Sequence, residues 1–154
     1  MTFKHKPHRS ADTWIVVADR ARARIYSLPP SAEIVLEEVE SLENQDGAAH
    51  ARDLGTDRQG YFRGRSGVLD TGDAQSESRR VISERFAHEI IQHLEAGRQK
   101  QKFGHLVLIA APAFLGELRK HLGGPLSQLI DQSIAKDYTS YSVDELTRSL
   151  SQPS

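Results

Sequence analysis

Six arginines, Arg52, Arg58, Arg63, Arg65, Arg79 and Arg80, share one stretch of this chain with six of its eleven glycines and with the adjacent aromatics Tyr61 and Phe62. A guanidinium presents a planar fork of donors that matches a phosphate. An aromatic ring offers a face on which a base can stack, and glycine lets a backbone approach closely. The chemistry these residue types suit is contact with RNA, and Arg58, Gln59, Gly60, Tyr61, Phe62, Arg63 and Arg65 form its densest group. Asp46, Asp53, Asp57, Asp70, Asp73 and Glu77 interleave with the arginines, so a solvated loop of balanced charge is the competing expectation. The basic N-terminal run Lys4, His5, Lys6, His8 and Arg9 reads as a solvated tail.

Other residues that could do chemistry fall short of a working set. His88-Glu89 with His93 resembles a zinc-binding helix, but the histidines are five apart rather than four, which turns the rings roughly 140° from each other. His5 and His8 lie in a terminal segment that supplies no fixed geometry. Asp19 and Arg20 stand at the first hairpin; a two-metal site needs several converging carboxylates, Asp131, Asp137, Glu38 and Glu40 do not complete such a set, and turn chemistry accounts for Asp19. The glycines of the arginine stretch lack the Gly-Lys-Ser/Thr of a phosphate-binding loop. Cysteine is absent, which removes thiolate nucleophiles, disulfides and cysteine metal sites. The sequence therefore assigns no catalytic residue, no metal site and no cofactor.

The elements that must position the arginine stretch are legible around it. A chain of 154 residues suits one domain, and a net charge of −1 argues against bulk electrostatic capture of nucleic acid, which leaves a local contact. Thr13 to Ala18 reads as a buried strand, Asp19 to Ala21 as a turn, and Arg22 to Leu28 as a second strand. There Ala23, Ile25 and Ser27 oppose Arg22, Arg24 and Tyr26. Pro29-Pro30-Ser31 breaks it, and Ala32 to Leu42 reads as a third strand closing a meander. Asn44 to Arg80 shows no apolar period and reads as one long loop.

Gln75 to Gln101 then reads as the long helix, with Asp73 as N-cap and an apolar stripe of Ile82, Phe86, Ala87, Ile90, Ile91 and Leu94; Gly97 weakens its far end. His105 to Ala111 suits a central strand covered on both faces, and Ala113 to Leu122 a helix opened by Pro112 and closed at Gly123-Gly124-Pro125. Leu129 to Lys136 alternates as a strand, and Ser142 with Glu145 forms a capping box before a last helix reaching Leu150. No run approaches the roughly 18 apolar residues of a membrane span, and no apolar segment follows the basic N-terminus as in a secretory signal, so a cytoplasmic protein without membrane insertion is expected.

Three strings, Trp14 to Tyr26 (WIVVADRARARIY), Leu106 to Leu122 (LVLIAAPAFLGELRKHL) and Ala135 to Leu146 (AKDYTSYSVDEL), resemble the bacterial host attachment protein family. That family is grouped with relatives of the archaeo-eukaryotic release factors, and the likeness, from about residue 12 to 150, extends to their middle domain and that of Pelota. It implies an α/β fold with an RNase H-like mixed sheet of about five strands, a β-meander followed by alternating helices and strands. Residues 1–11 and 151–154 would be tails, and 12–150 a single domain carrying the loop at 44–80.

In the release-factor domain the corresponding loop bears a Gly-Gly-Gln tip for peptidyl-tRNA hydrolysis. This chain has none, and Arg58-Gln59-Gly60 is the nearest string. The resemblance therefore implies a noncatalytic module directed at RNA, with the ribosome or a tRNA as partner. One alternative is a hydrolase using Gln59. The other is an intracellular regulatory module that meets a protein partner and affects attachment to host cells.

Overall fold

The computed structural model describes residues 3, 11–31, 33–45 and 68–151, with backbone alone for 68–77. Strand β1 (Thr13–Ala18) is the axis of the sheet, because both of its edges and both of its faces are covered. It pairs antiparallel with β2 (Arg22–Leu28), Val16 opposite Ile25, and parallel with β4 (His105–Ala110), Val16 opposite Leu108. Beyond these lie β3 (Glu37–Glu43), antiparallel to β2, and β5 (Ile130–Ala135), parallel to β4. The five strands stand in the order β3-β2-β1-β4-β5, a mixed sheet as expected. Near-continuous apolar runs in β1 and β4 follow from this position, since alternate side chains enter opposite cores.

One core lies under helix α1 (Val68–Gln99) and helix α2 (Pro112–Lys120), followed by the single turn α3 (Gly124–Ser127). Phe86, Ala87, Ile90, Ile91 and Leu94 of α1 meet Trp14, Val16 and Ile25 of the sheet and Phe114, Leu115 and Leu118 of α2. The apolar stripe foreseen for the long helix is the buried one, with Ile82 only half-buried at its edge. On the other face Ile15, Val17, Tyr26, Leu28, Val107 and Ile109 pack with Leu146 and Leu150 of helix α4 (Val143–Ser151). Those two leucines are the buried anchors of α4, together contributing about 3–6 kcal/mol of apolar burial. The predicted capping box forms: Glu145 N–H donates to Ser142 Oγ at 3.1 Å and Ser142 N–H to Glu145 Oε1 at 3.0 Å.

The long helix begins earlier than its apolar stripe. Residues 68–80 are helical, which corrects the expectation of a loop throughout 44–80 and places Asp73 inside α1 rather than at its N-cap. Periodicity marks only the part of a helix that is buried, and among the described side chains of α1 burial runs from Ser83 to Gly97. The 32 residues span about 48 Å, while six-residue β1 spans about 20 Å. Gly104 N–H donates to Asp12 at 3.0 Å, which ties the chain just beyond α1 to the amino end of β1. The first half of α1 accordingly runs past the opposite edge, the rim formed by the carboxyl ends of β1, β4 and β5.

Gly97 does not weaken the helix end so much as admit a neighbour. A Cβ there would lie 2.8 Å from Trp14 Cζ3 and Cη2 and 3.1 Å from Phe103 Cε1, and the two rings stack at 4.5 Å between centroids. The helix closes four residues on with Gln101 at φ 58°, where Gln101 N–H donates to Arg98 and Lys102 N–H to Gly97, both at 2.9 Å. That pair of bonds satisfies carbonyls the helix end would leave open.

Two further departures have local causes. Tyr26 was expected on a polar face, yet it is fully buried, because α4 covers that side of the sheet as well. The third strand starts at Glu37 rather than residue 32, and the pairing slips between Ile25 and Tyr26, leaving Val39 as an extra residue on β3. Such a bulge breaks the alternation that periodicity depends on, and it leaves Val39 43% exposed. Among the described residues no helix is long and apolar enough to cross a membrane.

Candidate functional site

The carboxyl rim of the parallel strands gathers the polar groups that the sheet itself cannot use. Asp19 closes the β1–β2 turn: its Oδ1 accepts the backbone N–H of Ala21 at 2.7 Å and of Arg22 at 2.9 Å. Turn chemistry thus explains one oxygen of Asp19, as read from the sequence. The other oxygen looks across the rim to the segment after β5. There Thr139 Oγ1 stands 2.7 Å from Asp19 Oδ2 and 2.6 Å from Asp137 Oδ1. Asp137 Oδ1 also accepts Thr139 N–H at 3.1 Å. A hydroxyl has one proton to give, so Thr139 donates to one carboxylate at a time while standing between both.

Arg24 fastens the same segment from β2. Its Nη2 donates to the carbonyl of Thr139 at 2.6 Å and to that of Tyr141 at 2.8 Å. The guanidinium carbon lies 5.9 Å from the centroid of the Tyr26 ring, two residues along on the same strand face, and Tyr138 and Tyr141 stack at 4.6 Å. Arg24 Nε and the Tyr26 hydroxyl are enclosed without a hydrogen-bond partner among the described residues. Burial pushes the Tyr26 phenol above its ordinary value of 10.0; the Arg24 charge opposes that shift and Glu38 adds to it. The result is a latch: β2 and the β1–β2 turn hold residues 137–141 across the strand ends and so fix where α4 starts.

The third arrival at the rim is the end of β3. Asn44, 6% exposed, donates through its N–H to Ala21 at 2.9 Å and through Nδ2 to Arg20 at 2.8 Å. The chain therefore sets out toward residues 46–67 from the β1–β2 turn. Arg58, Gln59, Gly60, Tyr61, Phe62, Arg63 and Arg65 lie outside the described residues, as does Arg52. Arg79 and Arg80 are exposed on α1, with Arg80 paired to Glu84 at 3.3 Å.

The histidine pair behaves as its spacing requires. His88 turns toward His121 of the α2 end, with ring centroids 5.2 Å apart, whereas His93 Nδ1 meets Glu40 Oε2 of β3 at 3.1 Å. Among the described residues no group of three histidine or acidic side chains is arranged to hold a metal. Thr139 and Arg24 are the site residues that sequence reasoning missed. The available signal was that Arg24 lies two residues before Tyr26 and four before Leu28, hence on one strand face with both.

A stretch of 95 residues is 26% identical to the uncharacterized protein RP470 of Rickettsia prowazekii (strain Madrid E), covering 60% of this chain and 63% of that protein. The chain thus spans somewhat less than two thirds of that relative's length. The family model described as "Protein required for attachment to host cells" matches residues 14–150, from the second residue of β1 to the last turn of α4. The match takes in all five strands, the rim and the arginine stretch, and the chain belongs to the family of proteins required for attachment to host cells.

Proposed function

We propose that this member of the host attachment family is a noncatalytic binding module that works from inside the cell, and that Arg58, Gln59, Gly60, Tyr61, Phe62, Arg63 and Arg65 are its contact residues toward RNA or the ribosome. The observation that carries the reading is the use of polar groups at the carboxyl rim. Asp19, Asp137 Oδ1 and Arg24 Nη2 make their hydrogen bonds to the chain itself, and Asn44 ties the end of β3 to that rim. Polar groups already engaged within the fold, together with a sequence segment rich in arginine, glycine and aromatics, suit binding better than turnover. The RNase H-like, release-factor middle-domain-like architecture belongs to the same proposal, and what supports it is the mixed five-stranded sheet, with an antiparallel β1-β2-β3 meander followed by parallel β4 and β5.

The family description favours a second reading, a regulatory module whose partner is a protein and whose effect is on attachment. Sedimentation of a cell lysate through a sucrose gradient at low and moderate salt separates the two. Compared are the intact chain, a chain lacking residues 56–66, and the pair Arg63→Ala with Arg65→Ala. Co-migration of the intact chain with ribosomal particles, weakened in both variants and by salt, is the outcome the RNA reading requires. All three chains remaining at the top of the gradient would refute it and leave the protein partner as the reading to pursue.

A further inference from the structure

We draw no further inference here: the strongest candidate, the Asp19–Thr139–Asp137 cluster beside Arg24 at the carboxyl rim of the parallel strands, is an acidic cluster that fastens residues 137–141 to the β1–β2 turn, and no second observation at the rim points to a ligand.

Discussion

Replacing Gly97 by alanine sets two effects of known sign against each other. A glycine inside a helix costs about 1 kcal/mol relative to alanine, so the substitution taken alone should stabilise α1 by that amount. The new methyl, however, would sit 2.8 Å from two atoms of the Trp14 ring, where ordinary contacts begin at 3.4 Å, and 3.1 Å from Phe103. Trp14 has little freedom to retreat, being 5% exposed and stacked on Phe103. Overpacking of this kind costs about 1–3 kcal/mol, and a clash with a pinned aromatic belongs in the upper half of that range.

The net expectation for Gly97→Ala is a loss of about 1–2 kcal/mol, which is roughly 2–8 °C in Tm for a domain of this size. Urea unfolding followed by far-UV circular dichroism measures it, and the emission of Trp14, the sole tryptophan, reports whether the ring has moved. In a Trp14→Phe background, which removes the outer ring of the indole, the same Gly97→Ala change should cost less or become favourable. Equal or greater stability of Gly97→Ala in the parent chain, with Trp14 emission unchanged, would refute the account of why glycine stands there.

Arg24→Met strips the donor from the carbonyls of Thr139 and Tyr141, with an expected loss of about 2–4 kcal/mol in the docking of residues 137–151. Amide hydrogen exchange should speed up there before it does in β1 and β4, and unaltered protection of α4 would overturn the latch. Tyr26→Phe removes a buried hydroxyl with no partner among the described residues, so stability at neutral pH should stay level or rise. Because the folded phenol is held above 10.0, the parent's contribution from Tyr26 is complete below that pH and declines as pH rises through the folded value; the variant should lose less in alkali, as pH-dependent urea midpoints would reveal. Glu145 lies below its ordinary 4.5, mainly because Ser142 N–H donates to its carboxylate, with the Ser142 hydroxyl next. Its contribution is complete above 4.5 and fades as pH falls through the lower folded value, so Glu145→Gln should flatten the acid limb of stability; an acid limb of unchanged slope would count against the capping box.

The order of elements was legible because most strands and the buried half of α1 carry their periods openly. Trp14 to Ala18 and Leu106 to Ala110 are apolar without a break, and Phe86, Ile90 and Leu94 recur four apart on the helix. The first half of α1 was not legible, since Asp70, Thr71, Gly72 and Asp73 carry no apolar stripe and three of them favour turns in isolation. The start of β3 was not legible for a different reason, as the bulge at Val39 shifts the phase of the strand after its first residues. The rim was legible in part. Asp19 announces its turn, whereas Thr139 reaches Asp19 and Arg24 only through the sheet order, and no local pattern encodes a contact between such distant residues.

The parallel pairing of β1 with β4 also governs how the chain can acquire its structure during synthesis. β2 and β3 emerge directly after β1 and can form their hairpins at once, but the second edge of β1 waits for His105 to Ala110, after the whole of α1 has been made. Until then Trp14 to Ala18 offer an open row of amides and carbonyls flanked by bare apolar faces, a template for pairing with any neighbouring chain. Long-range closure of this kind slows folding, since the entropy of a large loop must be lost before the contacts form. Chains halted anywhere before β4 should therefore be prone to aggregate, and the apolar strands lose their open edges only when β4 has slotted beside β1 and β5 has covered β4.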